Sequence, residues 1–324
     1  MIFTFFLLSL FPHLLEGLHI QPSSPEPYRT IDALSRRSLI TSAVAAATTT
    51  IVSPAHAVTT VECLTDLPPL LPDKIRLFLC RHGETEYNRL GLVQGARVDV
   101  DLNSLGELQA ARLGQALSLS AEHPPLFVHS PLKRARQTAS IAAAQYTNTN
   151  RRPKLKVLTD IAEVDFGSTM DGGKVISNKL SMAATYEAWA LGDLDAKMTA
   201  DGESLRQVLE RISRSLYQLQ KLTTSRSVVV VSHSSFLKLF LATCQDANIL
   251  DMRNVLKIGN CCVNVVDIPT AKNNILTEIT PASPVLGSPF SKAPSDYSLL
   301  LPQSNIVRLN EQRHLIGVKD ELIK

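Results

Sequence analysis

Arginine and histidine side chains follow directly after a short apolar run in the first third of the chain. The run 75-IRLFLC-80 has the length and composition of a buried strand, and Arg81 and His82 come next. A second histidine, His233, follows the valine-rich run 227-SVVVVS-232. Guanidinium forks match the oxygens of phosphate, so two histidines near several arginines indicate a site for a doubly charged anion.

Three predicted strands would carry these side chains to one edge of a sheet. Besides the two runs above, 126-LFVHS-130 reads as a strand that ends on Ser130 and leads into the basic turn 131-PLKR-134. In open parallel sheets, ligands bind beyond the carboxyl ends of the strands. We therefore expect the Arg-His pair, the basic turn and the second histidine to meet at one edge.

The remainder of the chain alternates predicted strands with predicted helices. Further strands are predicted at 155–158, 261–268, 274–279 and near 304–309, and helices at 105–119, 131–145, 203–221 and 235–244. Asn103 and Ser104 would open the first helix, with Glu107 completing a capping box, and Pro131 suits the first turn of the second. The alternation predicts a three-layer α/β/α sandwich with a mostly parallel sheet.

Composition excludes several classes of function. The net charge is +3 and no cluster of five or more Lys or Arg occurs, so a nucleic-acid surface is not expected. The five cysteines are odd in number and irregularly spaced without a CxxC pair, which argues against a disulfide framework or a zinc site. Buried free thiols are the simpler interpretation, and no metal or other cofactor is expected.

The first 57 residues are interpreted as targeting sequence rather than as part of the fold. The apolar run 2-IFTFFLLSLF-11 is too short to span a bilayer and suits a secretory signal. Further on, 35-SRRSLITSAVAAATTTIVSPAHAV-58 combines an arginine pair, a mildly apolar stretch and an A-x-A cleavage site. That segment resembles a twin-arginine translocation signal, although a membrane anchor or a chance Ala-rich helix is the alternative.

Two export-type signals in series resemble the presequences of nucleus-encoded thylakoid-lumen proteins in algae with secondary plastids. The resemblance implies a plastid location in the thylakoid lumen, without membrane insertion after processing. Such presequences usually place an aromatic residue just after the first cleavage site, whereas 17-GLHIQP-22 has none. The stroma or secretion therefore stays open. We expect 58–74 to be a linker, 75–315 the catalytic domain with a flexible loop at about 280–303, and 316–324 a C-terminal tail.

The ordered motifs of the chain resemble the histidine phosphatase superfamily, the phosphoglycerate-mutase-like group. The matching blocks, in order, are 81-RHGETEYN-88, 94-QG-95, 99-DVDLNSLGELQA-110, 129-HSPLKRARQTA-139, 163-EVDFG-167, 201-DGES-204 and 231-VSH-233. In addition, 307-VRLNEQRHL-315 is similar to the closing strand of small phosphatases of the family. A lone RHG would be a weak signal, but several blocks in the same order make a specific one.

The resemblance implies a role for each matched residue. His82 matches the nucleophile that becomes phosphohistidine, and Glu163 matches the general acid and base. Three further residues match the groups that hold the phosphoryl oxygens: Arg81, Arg134 and His233. Asn88 matches another phosphate contact, and Gln94 with Gly95 matches a substrate-side loop. The expected partner is a small phosphorylated substrate, and the oligomeric state is open.

Several of these residues have alternatives within the sequence. His82 could be a structural histidine, Lys133 and Arg136 lie close to Arg134, and Glu84, Glu86 and Asp165 compete with Glu163. Ser234 and Ser235 follow His233 where many relatives have glycine, which puts the shape of the pocket in doubt. Tyr186 and Trp189 either form a substrate-selecting lid or simply pack a short helix.

The choice between phosphatase and mutase depends on the segment that follows Glu163. Mutases of the group carry an Arg-Arg-Ser run followed by prolines there, whereas residues 168–204 contain no arginine pair and no proline. A phosphatase is therefore favoured and a mutase is the alternative. A non-catalytic module of the same fold is a third reading, and the presence of His82, Arg134 and His233 argues against it.

Overall fold

The chain from Cys63 onward folds as a six-stranded sheet with helices on both faces. A computed structural model describes residues 63–120, 125–146, 152–222, 226–244, 258–270 and 304–322. The strands are β1 (Lys74–Arg81), β2 (Leu126–His129), β3 (Leu155–Val157), β4 (Ser227–Ser232), β5 (Val263–Pro269) and β6 (Asn305–Glu311). The α-helices are α1 (Glu86–Leu90), α2 (Ser104–Ser120), α3 (Lys133–Ala144), α4 (Val175–Ala190), α5 (Leu205–Leu222), α6 (Ser234–Cys244) and α7 (Val318–Glu321). The presequence, the predicted strand 274–279 and the predicted loop 280–303 lie outside the described residues.

The strand order places the three predicted site strands side by side. The sheet runs β3-β2-β4-β1-β5-β6, and β3, β2, β4 and β1 are mutually parallel. Strands β5 and β6 add two antiparallel pairings at the other end. Because β2, β4 and β1 are adjacent and parallel, their carboxyl ends meet at one edge. The predicted α/β/α sandwich with a mostly parallel sheet is confirmed.

The valine run of β4 shows why the sheet needs helices on both faces. Val228 and Val230 belong to the core cluster that includes α5 and α6, whereas Val229 and Val231 belong to the cluster that includes α2 and α3. Side chains of a strand alternate between faces, so four successive valines require apolar cover on both sides. Each fully buried valine contributes about 1.5–3 kcal/mol relative to exposure.

Two glycines let helix α2 approach the loop that follows β1. A Cβ on Gly106 would lie 2.1 Å from the carbonyl oxygen of Glu84, and one on Gly83 would lie 2.5 Å from the carbonyl oxygen of Gly106. Real Cβ atoms do not tolerate such distances, so only glycine allows this contact. The contact fixes the backbone immediately after His82.

Two details of helix initiation differ from the sequence prediction. Helix α2 is capped by Asn103, whose side-chain oxygen accepts from the backbone N–H of Gly106 at 2.9 Å. Glycine therefore holds the third helical position that a capping-box glutamate needs, and the predicted pairing of Ser104 with Glu107 is wrong. Pro131 lies ahead of the N-cap of α3, because that helix begins at Lys133.

The segments on either side of the domain contribute to its packing. Leu64, within the predicted linker, and Val318, within the predicted tail, are both buried. Arg308 of β6 donates to the carbonyl of Cys63. Within the described residues, no helix combines the length and apolar character needed to cross a membrane.

Candidate active site

His82 lies at the end of β1 and is almost fully buried. Its Nδ1 is 2.7 Å from the carbonyl oxygen of Gly83, so Nδ1–H donates and Nε2 keeps its lone pair. Burial lowers the pKa of His82 well below its ordinary value, and the charges of Arg134 and Arg81 lower it further. The imidazole is therefore neutral near neutral pH, with a nucleophilic nitrogen available.

His233 follows β4 and faces His82, with 5.1 Å between the two ring centroids. Its Nδ1 accepts from Nε of Arg134 at 3.2 Å, and its Nε2 lies 2.7 Å from Oγ of Ser130. With Nδ1 accepting, Nε2 carries the proton and donates to the serine. Burial first, and then the charge of Arg134, lower the pKa of His233 well below its ordinary value.

Arg134, in the first turn of α3, is fully buried, whereas Arg136 is exposed and Lys133 is only partly buried. Its guanidinium donates to the carbonyl of Val98, to that of Gly95 at 3.3 Å and to His233. Burial lowers the pKa of Arg134 to about 10, so the group stays protonated near neutral pH. The structure thus selects Arg134 from the three neighbouring cations as the one at the site.

Arg81 supplies a donor that has no partner among the described residues. Nη1 donates to the carbonyl of Ile258 at 2.9 Å, whereas the buried Nε makes no hydrogen bond among the described residues. Burial lowers the pKa of this arginine. A buried unsatisfied N–H is costly, so this atom is suited to bind a ligand oxygen. Arg81 also lines a larger neighbouring cavity of about 670 Å³, whose described lining contains neither histidine.

Glu163 is buried at the amino end of helix α6. One carboxylate oxygen accepts from the backbone N–H groups of Val164 at 2.9 Å and Phe236 at 3.0 Å, and the other accepts from Ser235 at 3.2 Å. Free N–H groups at a helix amino end bind anions, which fixes the carboxyl group in place.

The rival carboxylates are held elsewhere. Glu84 accepts from Asn103 at 2.9 Å, Glu86 pairs with Arg89 on the exposed surface, and Asp165 pairs with Arg97 at 2.8 Å. Glu163 is the acid among the described residues that line the cavity around His82.

The three remaining predicted residues divide into two groups. Asn88 and Gln94 line the cavity, and their side-chain oxygens accept from the backbone N–H of Thr85 at 3.3 Å and from Oγ1 of Thr85 at 2.9 Å, respectively. Gly95 is not part of the described lining: its N–H donates to Asp171 at 2.8 Å and its carbonyl accepts from Arg134. Gly95 therefore positions the arginine rather than facing the cavity.

These groups surround a cavity of about 150 Å³. The described residues that line it are Arg81, His82, Asn88, Leu92, Val93, Gln94, Glu163, Phe166, Val175, Met182 and Ser235. Arg134 and His233 are not part of the described lining. A neutral imidazole under the influence of two guanidinium charges, in one cavity with a carboxyl group, can transfer a phosphoryl group.

Comparison with known proteins agrees with this geometry. A family model described as the histidine phosphatase superfamily (branch 1) matches residues 77–278, which is more than half of the chain. The chain belongs to the histidine phosphatase superfamily. The family resemblance predicted from the motifs is therefore confirmed, and the chain is a phosphatase enzyme.

Relatives of this histidine phosphatase include proteins from plants and bacteria. It is 31% identical to phosphoglycerate mutase-like protein 4 of Arabidopsis thaliana over 60% of this chain and 79% of the relative. It is 30% identical to a metal-independent phosphoserine phosphatase of the same organism, over 60% of this chain and 77% of the relative. Phosphoserine phosphatase 1 of Hydrogenobacter thermophilus is 33% identical, over 49% of this chain and 71% of its own length.

A solved structure shows the same fold. The mycobacterial glucosyl-3-phosphoglycerate phosphatase structure aligns with a TM-score of 0.50 and 24% identity, covering 59% of this chain and 90% of that one. At this level of identity the likeness supports the fold of the histidine phosphatase and nothing more specific.

Sequence reasoning missed several residues that support the site of this phosphatase. Arg211 of α5 forms an ion pair with Glu203 and donates to the backbone carbonyls of Asp160 and Ala162, just ahead of Glu163. Asn260 donates to the carbonyl of His82 at 3.1 Å. The matched block 201-DGES-204 contains Glu203, the partner of Arg211. No local sequence signal identifies the contact of Asn260 with His82.

The two residues proposed as a lid, Tyr186 and Trp189, lie in different environments. Trp189 is buried and donates to the carbonyl of Ala196 at 2.9 Å, so it packs the core. Tyr186 packs edge-on against it and lies near the side chain of Ser235, which lines the cavity.

Proposed function

We propose that this chain is a metal-independent phosphomonoesterase that acts through a phosphohistidine on His82. The observation that carries the proposal is a neutral His82, with Nε2 unprotonated, under the charges of Arg81 and Arg134 and in one cavity with Glu163. The relative named as a metal-independent phosphoserine phosphatase supports the same chemistry. Its substrate would be a small phosphorylated molecule.

In the first step, the Nε2 lone pair of His82 attacks phosphorus and the P–O ester bond breaks. Glu163 gives a proton to the leaving oxygen. In the second step, water attacks phosphorus, Glu163 removes its proton and the P–N bond breaks. Orthophosphate leaves and His82 returns to the neutral form.

The cations stabilise the charge that develops on the transferring group. Arg81 can donate directly, because its Nε has no described partner. Arg134 and His233 can donate directly only after exchanging their present partners, the carbonyl of Gly95 and Oγ of Ser130. Without that exchange, Arg134 acts through its charge and by orienting His233.

The experiment uses residues 58–324 and follows phosphate release from an activated aryl phosphate in the presence of EDTA. Wild type should release phosphate and form an acid-labile, base-stable phosphoenzyme, and His82→Ala should do neither. Equal, negligible release from both folded proteins would refute the phosphatase and favour a mutase or a non-catalytic module.

A mutase remains the alternative function. A mutase would need cations that bind the carboxylate of a phosphorylated acid. The described lining of the cavity contains one cation, Arg81, which argues against this function. Incubating the protein with 3-phosphoglycerate and a bisphosphoglycerate primer separates the two functions: interconversion of phosphoglycerates faster than phosphate release would establish the mutase.

We also propose that residues 1–57 direct the protein to a plastid, with the thylakoid lumen as destination and the stroma or secretion as alternatives. The serial arrangement of an apolar signal and the arginine pair Arg36-Arg37 supports this. A fluorescent fusion should localise to the lumen, and changing both arginines to lysine should leave it in the stroma. Secretion of both fusions would contradict the proposal.

A further inference from the structure

One wall of the cavity around His82 is apolar. The side chains that form it come from the loop after α1, from the segment after Glu163 and from helix α4: Leu92, Val93, Phe166, Val175 and Met182. Val93 and Phe166 are buried in the core cluster, and Met182 packs against it. Because Glu163 is the residue proposed to protonate the leaving oxygen, the cavity beside it receives the alcohol part of the substrate.

The polar groups on the same side are neutral. Ser235 lines the cavity, and Tyr186 lies near its side chain. Burial raises the pKa of Tyr186 to about 12, so the phenol keeps its proton at physiological pH. Its ring packs edge-on against Trp189 with 5.2 Å between centroids, which positions the ring.

Two cations near this wall bind other groups of the protein. Lys174, next to Val175, donates its Nζ to the carbonyl of Leu90 at 3.0 Å. Arg97 forms ion pairs with Asp165 and Asp201. Among the described residues that line the cavity, Arg81 is the cation and Glu163 is the acid.

We propose that the cavity selects phosphate monoesters whose alcohol part is uncharged and rejects those that carry a second anionic group. This inference rests on the phosphatase function proposed above and specifies its substrate class. A second carboxylate or phosphate would lose water against an apolar wall, beside the carboxyl group of Glu163, and Arg81, the cation of the described lining, is already assigned to the transferring phosphate. An uncharged alkyl or hydroxyalkyl group loses little on entering the same space.

The test compares two substrates with the same three-carbon skeleton. Glycerol 3-phosphate ends in a hydroxymethyl group where 3-phosphoglycerate has a carboxylate. We expect kcat/KM for the former to be higher by about tenfold or more, because the carboxylate of the latter would lose water against the apolar wall and that loss is costly. Equal values, or a preference for 3-phosphoglycerate, would overturn the proposal.

A positive charge placed on the wall should reduce the preference for glycerol 3-phosphate. Val175 lines the cavity yet is 42% exposed, so Val175→Arg should fold and should raise the ratio of kcat/KM for 3-phosphoglycerate over glycerol 3-phosphate about tenfold. Ile176→Arg is the matched control, because the neighbouring side chain is 73% exposed and outside the described lining. An unchanged ratio in Val175→Arg, or an equal change in both variants, would contradict the proposal.

Aryl phosphate hydrolysis separates the two levels of inference. If wild type releases phosphate in a His82-dependent manner but prefers 3-phosphoglycerate, the proposed substrate class is refuted and the proposed phosphatase activity is supported. If the aryl phosphate is not hydrolysed, both the proposed phosphatase activity and the substrate class that rests on it are refuted.

Discussion

Replacing Glu163 by glutamine tests the proposed acid with little change of shape. The carboxylate accepts three backbone N–H groups, two on one oxygen and one on the other. In Glu163→Gln the amide oxygen can keep the bonds from Val164 and Phe236, but the amide NH₂ then faces the N–H of Ser235. That donor-to-donor contact should lower the free energy of unfolding by about 1–3 kcal/mol. The variant should therefore remain folded.

The catalytic loss should depend on the leaving group. An alkyl alkoxide needs a proton as the ester bond breaks, and a positioned general acid accounts for about 10²–10⁴-fold in rate. Nitrophenolate leaves without a proton, so phosphoenzyme formation from nitrophenyl phosphate should fall only about threefold in the variant. Rapid-quench measurement of the first turnover isolates this step from the later hydrolysis, in which Glu163 acts as base.

Glu84→Gln is the matched control, because Glu84 is the rival carboxylate next in sequence to the nucleophile loop and accepts from Asn103. It should change the rates for alkyl and nitrophenyl phosphates equally. Equal first-turnover losses on both substrates in Glu163→Gln would refute its role as the acid. A leaving-group-dependent loss in Glu84→Gln would transfer that role to Glu84.

Three further predictions follow from other contacts. Protonation of His82 removes the nucleophile and burial lowers its pKa in the free protein, so kcat/KM should rise with pH through a value well below 6.5. An acid limb of kcat/KM at or above 6.5 would contradict the buried neutral imidazole. Gly106→Ala should cut kcat at least about tenfold with the fold retained by circular dichroism, because its Cβ would push the loop after His82; unchanged kcat would contradict this. Asp267→Ala should cost about 3–5 kcal/mol in urea unfolding, because it leaves Arg76 buried without the carboxylate 2.8 Å away, whereas a loss below about 1 kcal/mol would show that water compensates.

The strand ends of this protein could be predicted because their signals are local. The valine run of β4 and the apolar run of β1 each end on a histidine-bearing turn, and the rule for parallel sheets then places both turns at one edge. The position of Arg134 followed from the spacing of its block, and burial distinguishes it from Arg136.

The contacts that complete the site could not be predicted, because they join segments far apart in the chain. Glu163 is held by the amino end of α6, about seventy residues later, and Arg211 binds the carbonyls ahead of it from a third segment. Gly95 looked like part of a substrate loop, but its N–H donates to Asp171. Such contacts depend on how the helices pack on the sheet, and no local sequence pattern indicates that packing.

The role of the serines after His233 depends on helix α4, which packs beside them. Glycine at 235 would still offer its backbone N–H to Glu163, so the acid does not require a side chain there. The side chain of Ser235 instead lines the cavity and lies near Tyr186 of α4. The sequence difference therefore acts on the wall proposed to receive the alcohol, not on the atoms proposed to transfer phosphate. We therefore expect substrate selection to depend on α4 and the amino end of α6, and phosphoryl transfer to depend on the groups at the ends of β1, β2 and β4.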